Sequence, residues 1–168
     1  MDVATLDALP DDAFVAAAAP WFEGAPRFLV RLAAARPFGD ERRLFERAEA
    51  IALAMPGGEQ LELIDAHPRL GAPPTTVSAD SFREQGYDRE TTPKAIAELG
   101  RLNTEYEAHF GFRFCVFVAG RPWSALVPVL ERALSADRDA EIRRALTDVV
   151  AIARDRFRTT AQPAEVTT

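Results

Sequence analysis

The sequence predicts an all-helical fold in which about eight helices form a single domain. Alanine, arginine and glutamate, which favour helices, recur throughout the 168 residues. Proline and glycine lie mostly between segments with helical periodicity. An apolar fraction of 48% and a charged fraction of 27% are typical of a globular chain, so the helices should pack around a common core.

The first four predicted helices are separated by turn-forming residues. Asp11 and Asp12 follow Pro10 and can cap the first helix, while Gly39 and Asp40 lie between the second and the third. These four helices are predicted at residues 11–20, 26–36, 40–55 and 58–67.

Four further helices are predicted at residues 79–86, 92–110, 122–135 and 138–158. Before the seventh helix, the segment from Phe112 to Ala119 is rich in aromatic and β-branched residues, which favour an extended conformation. Because one strand cannot form a sheet, we expect a buried extended connector within the bundle. The domain is predicted to span residues 1–158, and the polar residues 159–168 are predicted to form a disordered tail.

The last predicted helix places an arginine among its core-facing residues. At about 100° per residue, Ile142, Leu146, Val149 and Phe157 form an apolar stripe, and Arg156 falls within it. A buried guanidinium needs an anionic partner or a hydrogen-bond network. The pattern therefore indicates that Arg156 either extends its charged end to solvent, forms a structural ion pair, or binds a carboxylate.

The composition contains few of the residues that disulfide, metal or imine chemistry requires. The chain has one cysteine, Cys115, two histidines, His67 and His109, and one lysine, Lys94. An intramolecular disulfide is excluded, a zinc site lacks ligands, and imine chemistry would depend on Lys94. If the protein is an enzyme, we expect its general acid or base to be a histidine or a carboxylate.

The charge pattern predicts a protein that binds neither nucleic acid nor membranes. A net charge of −6 argues against a dominant basic surface. The longest uncharged apolar stretch, Ala13 to Phe22, is too short to span a bilayer. A secretory signal begins with a basic region, but no basic residue precedes Arg27. We therefore expect a cytoplasmic protein.

His67 is predicted to stand at the end of a helix, because Pro68 disfavours the helical conformation in the residue before it. The negative end of the helix dipole would favour the imidazolium form and raise the pKa of His67. This position suits a proton donor. It equally suits a histidine that caps the last carbonyl groups of the helix.

The segment Ser81 to Gln85 allows two interpretations. Its Ser-x-x-Glu spacing is that of a capping box, in which Ser81 and Glu84 bond the first turn of a helix. Alternatively, Glu84 lies against His67 and favours its charged form, while Ser81 and Gln85 bind polar groups of a substrate.

Three motifs together resemble the 2-oxo-4-hydroxy-4-carboxy-5-ureidoimidazoline (OHCU) decarboxylases of urate degradation. They are AHPRLG at Ala66 to Gly71, SFREQ at Ser81 to Gln85, and LN-xx-Y-xxx-FGF at Leu102 to Phe112. With the opening L-DALPDDAFVAA and with ARPF at Ala35 to Phe38, the resemblance extends over about residues 6–158.

The resemblance implies an all-helical, cofactor-free enzyme that forms homodimers and converts OHCU to (S)-allantoin and carbon dioxide. His67 would donate or relay a proton, Glu84 would orient and polarise His67, and Arg156 would bind the negative charge of the substrate. The residues that match the substrate pocket are Pro68, Ser81, Phe82, Arg83, Glu84, Gln85, Phe114, Cys115, Val116, Phe117 and Val118.

A noncatalytic helical interaction module is the alternative, in which the capping box, the histidine and the buried arginine are all structural. Geometry distinguishes the two hypotheses. Convergence of His67, Glu84 and Arg156 on one concave pocket would favour the enzyme, whereas dispersal over separate surfaces would favour the module.

Overall fold

A computed structural model of the chain describes residues 1–87 and 92–161. The described residues form nine α-helices and two short 3-10 turns, without a β-strand. The predicted all-helical class is therefore confirmed. None of these helices is long and apolar enough to cross a membrane.

The α-helices are numbered in chain order from α1 to α9. They are α1 Val3–Asp7, α2 Asp11–Ala18, α3 Pro26–Ala33, α4 Glu41–Ala54, α5 Gly57–Asp65, α6 Ala79–Gln85, α7 Pro93–Phe110, α8 Trp123–Ala133 and α9 Arg138–Ala161. The 3-10 turns are Ala19–Phe22 and Pro74–Thr76.

The helices differ from the predictions at several of their ends and at both ends of the chain. Helix α1 was not predicted, because five residues are too few to show helical periodicity; its cap is Asp2, whose carboxylate accepts a hydrogen bond from Thr5 N at 2.8 Å. Helix α9 ends at Ala161, three residues beyond the predicted end of the domain at residue 158. Residues 162–168 of the predicted tail lie outside the described residues.

Helix α9 packs against α4, α5 and the 3-10 turn Ala19–Phe22. The stripe predicted from its periodicity is buried, including Ile142, Leu146, Val149 and Phe157. Arg156 lies in this stripe and is only 4% exposed, as predicted. A second packing unit, α7 against α8, completes the helical domain.

The predicted connector is an irregular, largely buried segment between α7 and α8. Because it has no partner strand in the described residues, side chains from elsewhere in the chain bond its backbone. These bonds are Arg113 N to Asp65 (2.8 Å), Arg144 to Cys115 O (2.9 Å), Arg121 to Phe117 O (2.6 Å) and Val118 N to Glu84 (2.9 Å). The last of these bonds links the connector to a predicted site residue.

Candidate active site

A small cavity of about 10 Å³ lies between the end of α5, helix α6, the connector and α9. His67, Glu84 and Arg156 all line it, although they come from three separate parts of the chain. The other lining residues are Pro68, Leu70, Ser81, Gln85, Phe114, Cys115, Val116 and Ile152. This convergence is the geometry expected of an enzyme rather than of an interaction module.

His67 follows the last turn of α5 and is 3% exposed. Its Nδ1 lies 3.1 Å from the carbonyl oxygen of Leu63. Because a carbonyl can only accept a hydrogen bond, Nδ1 carries the hydrogen and Nε2 presents a lone pair. Nε2 is buried and has no hydrogen-bond partner among the described residues, so it is free to accept a proton.

The pKa of His67 is lowered to about 4, mainly by burial and also by the positive charge of Arg156. The hydrogen bond to Leu63 and the charge of Glu23 oppose this shift without cancelling it. The predicted raised pKa is therefore wrong, because loss of hydration outweighs the field at the helix end. The resting imidazole is neutral at physiological pH.

Helix α6 is capped by Ser78, whose Oγ accepts a hydrogen bond from Ser81 N at 3.1 Å. The capping-box interpretation of Ser81 and Glu84 is therefore wrong, because the cap is Ser78, three residues before Ser81, and the helix begins at Ala79. Ser81 instead faces the cavity in the first turn of α6, and its side chain serves another network.

Glu84 lies one turn further along α6, and its Oε1 accepts a hydrogen bond from Val118 N at 2.9 Å. Burial raises the pKa of Glu84 to about 7, against the opposing effects of this bond and of Arg156. Glu84 and His67 line the same cavity, but the described residues show no hydrogen bond between them. Leu63 orients the imidazole instead.

The guanidinium of Arg156 is held at both terminal nitrogens. One donates to Pro20 O at 2.9 Å, and the other donates to Ser81 Oγ at 2.8 Å and lies 2.9 Å from Glu23 Oε1. The expected anionic partner of Arg156 is thus Glu23. The Nε–H of Arg156 is buried and has no hydrogen-bond partner within the described part of the chain.

Glu23 was not among the predicted site residues. It follows the 3-10 turn Ala19–Phe22, and its Oε1 accepts hydrogen bonds from Ser78 Oγ at 2.9 Å and Ser81 Oγ at 2.5 Å. Burial raises the pKa of Glu23, but these bonds and Arg156 outweigh it, so the pKa is lowered and the carboxylate is ionised. No local pattern marks Glu23, because its partners are distant in sequence.

Gln85 supports the turn that follows His67. Its side chain donates to Pro68 O at 3.2 Å and accepts from Gly71 N at 3.3 Å. Its own carbonyl accepts a hydrogen bond from Trp123 Nε1 at 2.6 Å. Gln85 therefore joins α6 both to the segment after His67 and to α8.

The structure places four of the predicted pocket residues elsewhere. Phe82 stacks on Tyr87 with ring centroids 5.1 Å apart, and Val118 reaches the site only through its backbone N–H. Arg83 and Phe117 line a wider cleft of about 240 Å³ on the outer side. Glu84 and Arg156 line both this cleft and the inner cavity, so the two spaces adjoin.

The remaining candidate groups do not add chemistry to the cavity. Burial raises the pKa of the Cys115 thiol far above its usual range, which leaves it a poor nucleophile. His109 and Lys94 are exposed on α7. Among residues 1–87 and 92–161, no cluster of three or more histidine, cysteine or acidic side chains could hold a metal ion.

The fold and the cavity are those of a small all-helical enzyme whose cavity is lined by an imidazole, a carboxyl group and a buried guanidinium. The chain belongs to the OHCU decarboxylase family, a family of carboxy-lyases, because the family model matches residues 7–158.

Known proteins similar to this chain agree with that assignment. The chain is 35% identical over 139 residues to the uric acid degradation bifunctional protein PucL of Bacillus subtilis, covering 81% of this chain but only 28% of that protein. It is 29% identical over 146 residues to the 2-oxo-4-hydroxy-4-carboxy-5-ureidoimidazoline decarboxylase of Haloferax volcanii, covering 86% of this chain and 87% of that protein. The chain thus spans little more than a quarter of the first relative and most of the second.

Two solved structures share the fold. A crystal structure of OHCU decarboxylase in the presence of (S)-allantoin has a TM-score of 0.67 at 21% identity, covering 82% of this chain and 92% of that chain. A crystal structure of (S)-allantoin synthase has a TM-score of 0.70 at 19% identity, covering 95% of this chain and 54% of that chain.

Proposed function

We propose that this chain decarboxylates OHCU to (S)-allantoin and carbon dioxide in urate degradation. The observation that carries the proposal is the convergence of His67, Glu84 and Arg156 on one buried cavity. Membership of the family and the names of the relatives support the same substrate. An interaction module would have no need to bring these three groups together in the protein interior.

The substrate supplies its own electron sink, so the proposed reaction uses no cofactor. The bond between the ring carbon and the carboxylate breaks, and its electron pair moves into the adjacent imine as carbon dioxide leaves. The product of this step is an enol-like intermediate with an extra electron pair on the ring nitrogen. It becomes allantoin when the enol oxygen loses a proton, the nitrogen gains one, and the neighbouring ring carbon is protonated on one face.

His67 is the proposed relay in this sequence. Because it is neutral and its Nε2 is without a partner in the described residues, His67 first accepts the hydroxyl proton and then delivers a proton to the ring carbon. The hydrogen bond from Nδ1 to Leu63 holds the ring in one orientation, which supports delivery to a single face and a single enantiomer.

Glu84 is the proposed source of the additional proton that the reaction consumes. The substrate carboxylate is anionic and allantoin is neutral, so one proton must be supplied for each turnover. With a pKa of about 7, Glu84 is protonated in a large fraction of molecules near neutral pH. Its Oε1 is held by Val118 N, which leaves its other oxygen to donate to the ring nitrogen.

The substrate is proposed to approach through the wider cleft, which adjoins the inner cavity at Glu84 and Arg156. A cavity of about 10 Å³ has room for about one water molecule, so binding must widen it. The Nε–H of Arg156 would then meet an anionic oxygen of the substrate, a contact that offsets the cost of burying both charges.

The experiment that tests this function generates OHCU in solution from urate with urate oxidase and hydroxyisourate hydrolase. Addition of the protein should accelerate the loss of OHCU and should yield one allantoin enantiomer, which circular dichroism detects. Decay at the uncatalysed rate to racemic allantoin would contradict the proposal. The implied homodimer and the cytoplasmic location remain predictions, and light scattering against the chain mass of 18.5 kDa tests the former.

A further inference from the structure

Glu23 occupies a backbone conformation that disfavours its residue type. Its φ is +50°, in the left-handed region where glycine is the usual choice. A non-glycine residue there stores strain that the surrounding structure must offset, and such residues cluster at functional sites. A glycine at this turn would remove the strain, but it would also remove the carboxylate. The presence of glutamate here therefore indicates that its carboxylate has a role.

The carboxylate of Glu23 is the centre of a network built on two predicted site residues. One oxygen, Oε1, receives the hydroxyls of Ser78 and Ser81 and the guanidinium of Arg156. Ser81 in turn accepts a hydrogen bond from Arg156, so the three side chains form a closed triangle. The side chain of Arg156 is 4% exposed and that of Glu23 is 15% exposed, so solvent does little to screen their pairing.

The triangle constrains how Arg156 can be used. Its two terminal nitrogens are bonded to Glu23, Ser81 and Pro20, whereas Nε–H has no partner in the described residues. A guanidinium fixed at its far end can present Nε–H to a ligand without losing further side-chain entropy. The charge of Glu23 also offsets that of Arg156, whose field disfavours protonation of His67.

We propose that Glu23 is a positioning residue, whose carboxylate holds Arg156 and Ser81 in the arrangement that receives the anionic substrate. The inference rests on the proposed function. Glu23 acts through Arg156 and does not touch the reacting atoms. Substitution should therefore weaken substrate binding far more than it slows the chemical step.

The test is a double-mutant cycle on the full chain with Glu23→Gln, Arg156→Met and the combined variant. Glu23→Gln keeps the size and one acceptor oxygen but removes the charge. We expect its KM for OHCU to rise about tenfold to a hundredfold, while kcat changes less than about threefold. In the Arg156→Met background, Glu23→Gln should change KM by less than about twofold, because its effect passes through the missing guanidinium.

Glu59→Gln is the matched control. Glu59 also forms an ion pair with an arginine, since its Oε2 lies 2.8 Å from Arg31 Nε. This pair joins α3 to α5 and does not line the cavity. We expect wild-type KM and kcat for this variant. Additive effects of Glu23→Gln and Arg156→Met, or an unchanged or lower KM in Glu23→Gln, would overturn the positioning role.

A second measurement is independent of turnover. In the wild-type protein, the buried Nε–H of Arg156 should exchange slowly with solvent and give a resolved NMR signal, assigned by its loss in Arg156→Met. Glu23→Gln should speed that exchange at least about tenfold, while the folded spectrum is otherwise retained. Unchanged exchange would overturn the proposal even if the wild-type protein proved inactive toward OHCU, so the two failures are distinguishable.

Discussion

His67 donates its Nδ1 hydrogen to the carbonyl oxygen of Leu63, one helical turn earlier, over 3.1 Å. This one bond selects the tautomer whose Nε2 has a lone pair, and it fixes the plane of the ring. Since Nε2 has no partner in the described residues and the pKa is about 4, the resting site contains a base. In the proposed mechanism, His67 therefore accepts a proton before it donates one.

Replacement of His67 by asparagine should separate catalysis from folding. The asparagine amide can still donate to Leu63 O, whereas no base remains at the position of Nε2. We expect kcat to fall about 10²- to 10⁴-fold, with a free energy of unfolding within about 1 kcal/mol of wild type. His109→Asn, at an exposed position on α7, should retain full activity. An active His67→Asn variant would refute the relay.

The low pKa of His67 should also appear in the pH dependence of stability. The folded pKa is about 4 and the ordinary value is 6.5, so the unfolded chain binds more protons between these limits. The contribution of His67 is therefore fully present above about pH 6.5 and is lost as pH falls toward 4.

Urea unfolding of the wild type and of His67→Asn across this range measures the effect. On acidification from pH 7 to pH 4, the wild type should steadily lose stability relative to His67→Asn, because only the wild type carries the imidazole. A constant difference would show that His67 titrates normally in the folded state. His109→Asn serves as the control, because its side chain is exposed on α7 and lies away from the cavity.

Glu84→Gln should reduce kcat and remove an alkaline limb from the activity profile. Wild-type activity should decline above about pH 7 as Glu84 loses the proton that it donates. Glutamine can still accept from Val118 N but cannot supply an acidic proton, so we expect kcat to fall about 10²-fold or more.

The Glu84→Gln variant also tests whether the raised pKa of Glu84 makes stability depend on pH. In the wild type, stability should fall as pH rises from about 4.5 to 7, because the unfolded chain ionises Glu84 before the folded protein does. Glu84→Gln should lack this component. Glu131→Gln, at an exposed position on α8, should behave as wild type in both measurements. An alkaline activity limb that persists in Glu84→Gln would assign that limb to another group.

Arg144→Met should destabilise the connector that forms one wall of the cavity. Arg144 donates to Cys115 O at 2.9 Å and pairs with Glu141, a carboxylate that is 4% exposed and also accepts from Tyr106 OH. Removal of the arginine leaves Glu141 without its cation, so we expect a loss of about 3 kcal/mol in unfolding free energy.

Arg143→Met is the control for this change. Arg143 is the preceding residue of α9 and is exposed, so the same substitution should alter stability by no more than about 0.5 kcal/mol. Thermal and urea denaturation of both variants measure the difference. Equal stabilities would show that the Arg144 network does not hold the connector.

The local sequence pattern was sufficient to predict the all-helical class and the position of Arg156 on the buried face of α9. The spacing of apolar residues specifies which face of α9 is buried, and burial of a guanidinium requires an anion. The periodicity of this one helix is enough to predict that Arg156 is buried and needs an anionic partner. The structure confirms the burial and shows Glu23 as the partner. The burial of the connector was likewise predicted from its aromatic and β-branched residues, since they occupy a contiguous stretch of the chain, although its observed conformation is irregular.

The partners of these groups were decided only by tertiary packing. Glu23 and Ser81 are 58 positions apart, and no local periodicity links them. The sequence pattern favoured Ser81 as the cap of α6, whereas the structure uses Ser78 and the contacts of Ser81 across the fold assign it to the cavity. For His67, the helix dipole favours a higher pKa, but the burial that lowers it exists only after α5, α6 and α9 have enclosed the ring. Residue identity and spacing thus determined which acidic, basic and charged groups are available. Burial and hydrogen bonds between distant parts of the chain decided the protonation state of His67, Glu84 and Glu23 and the orientation of their side chains.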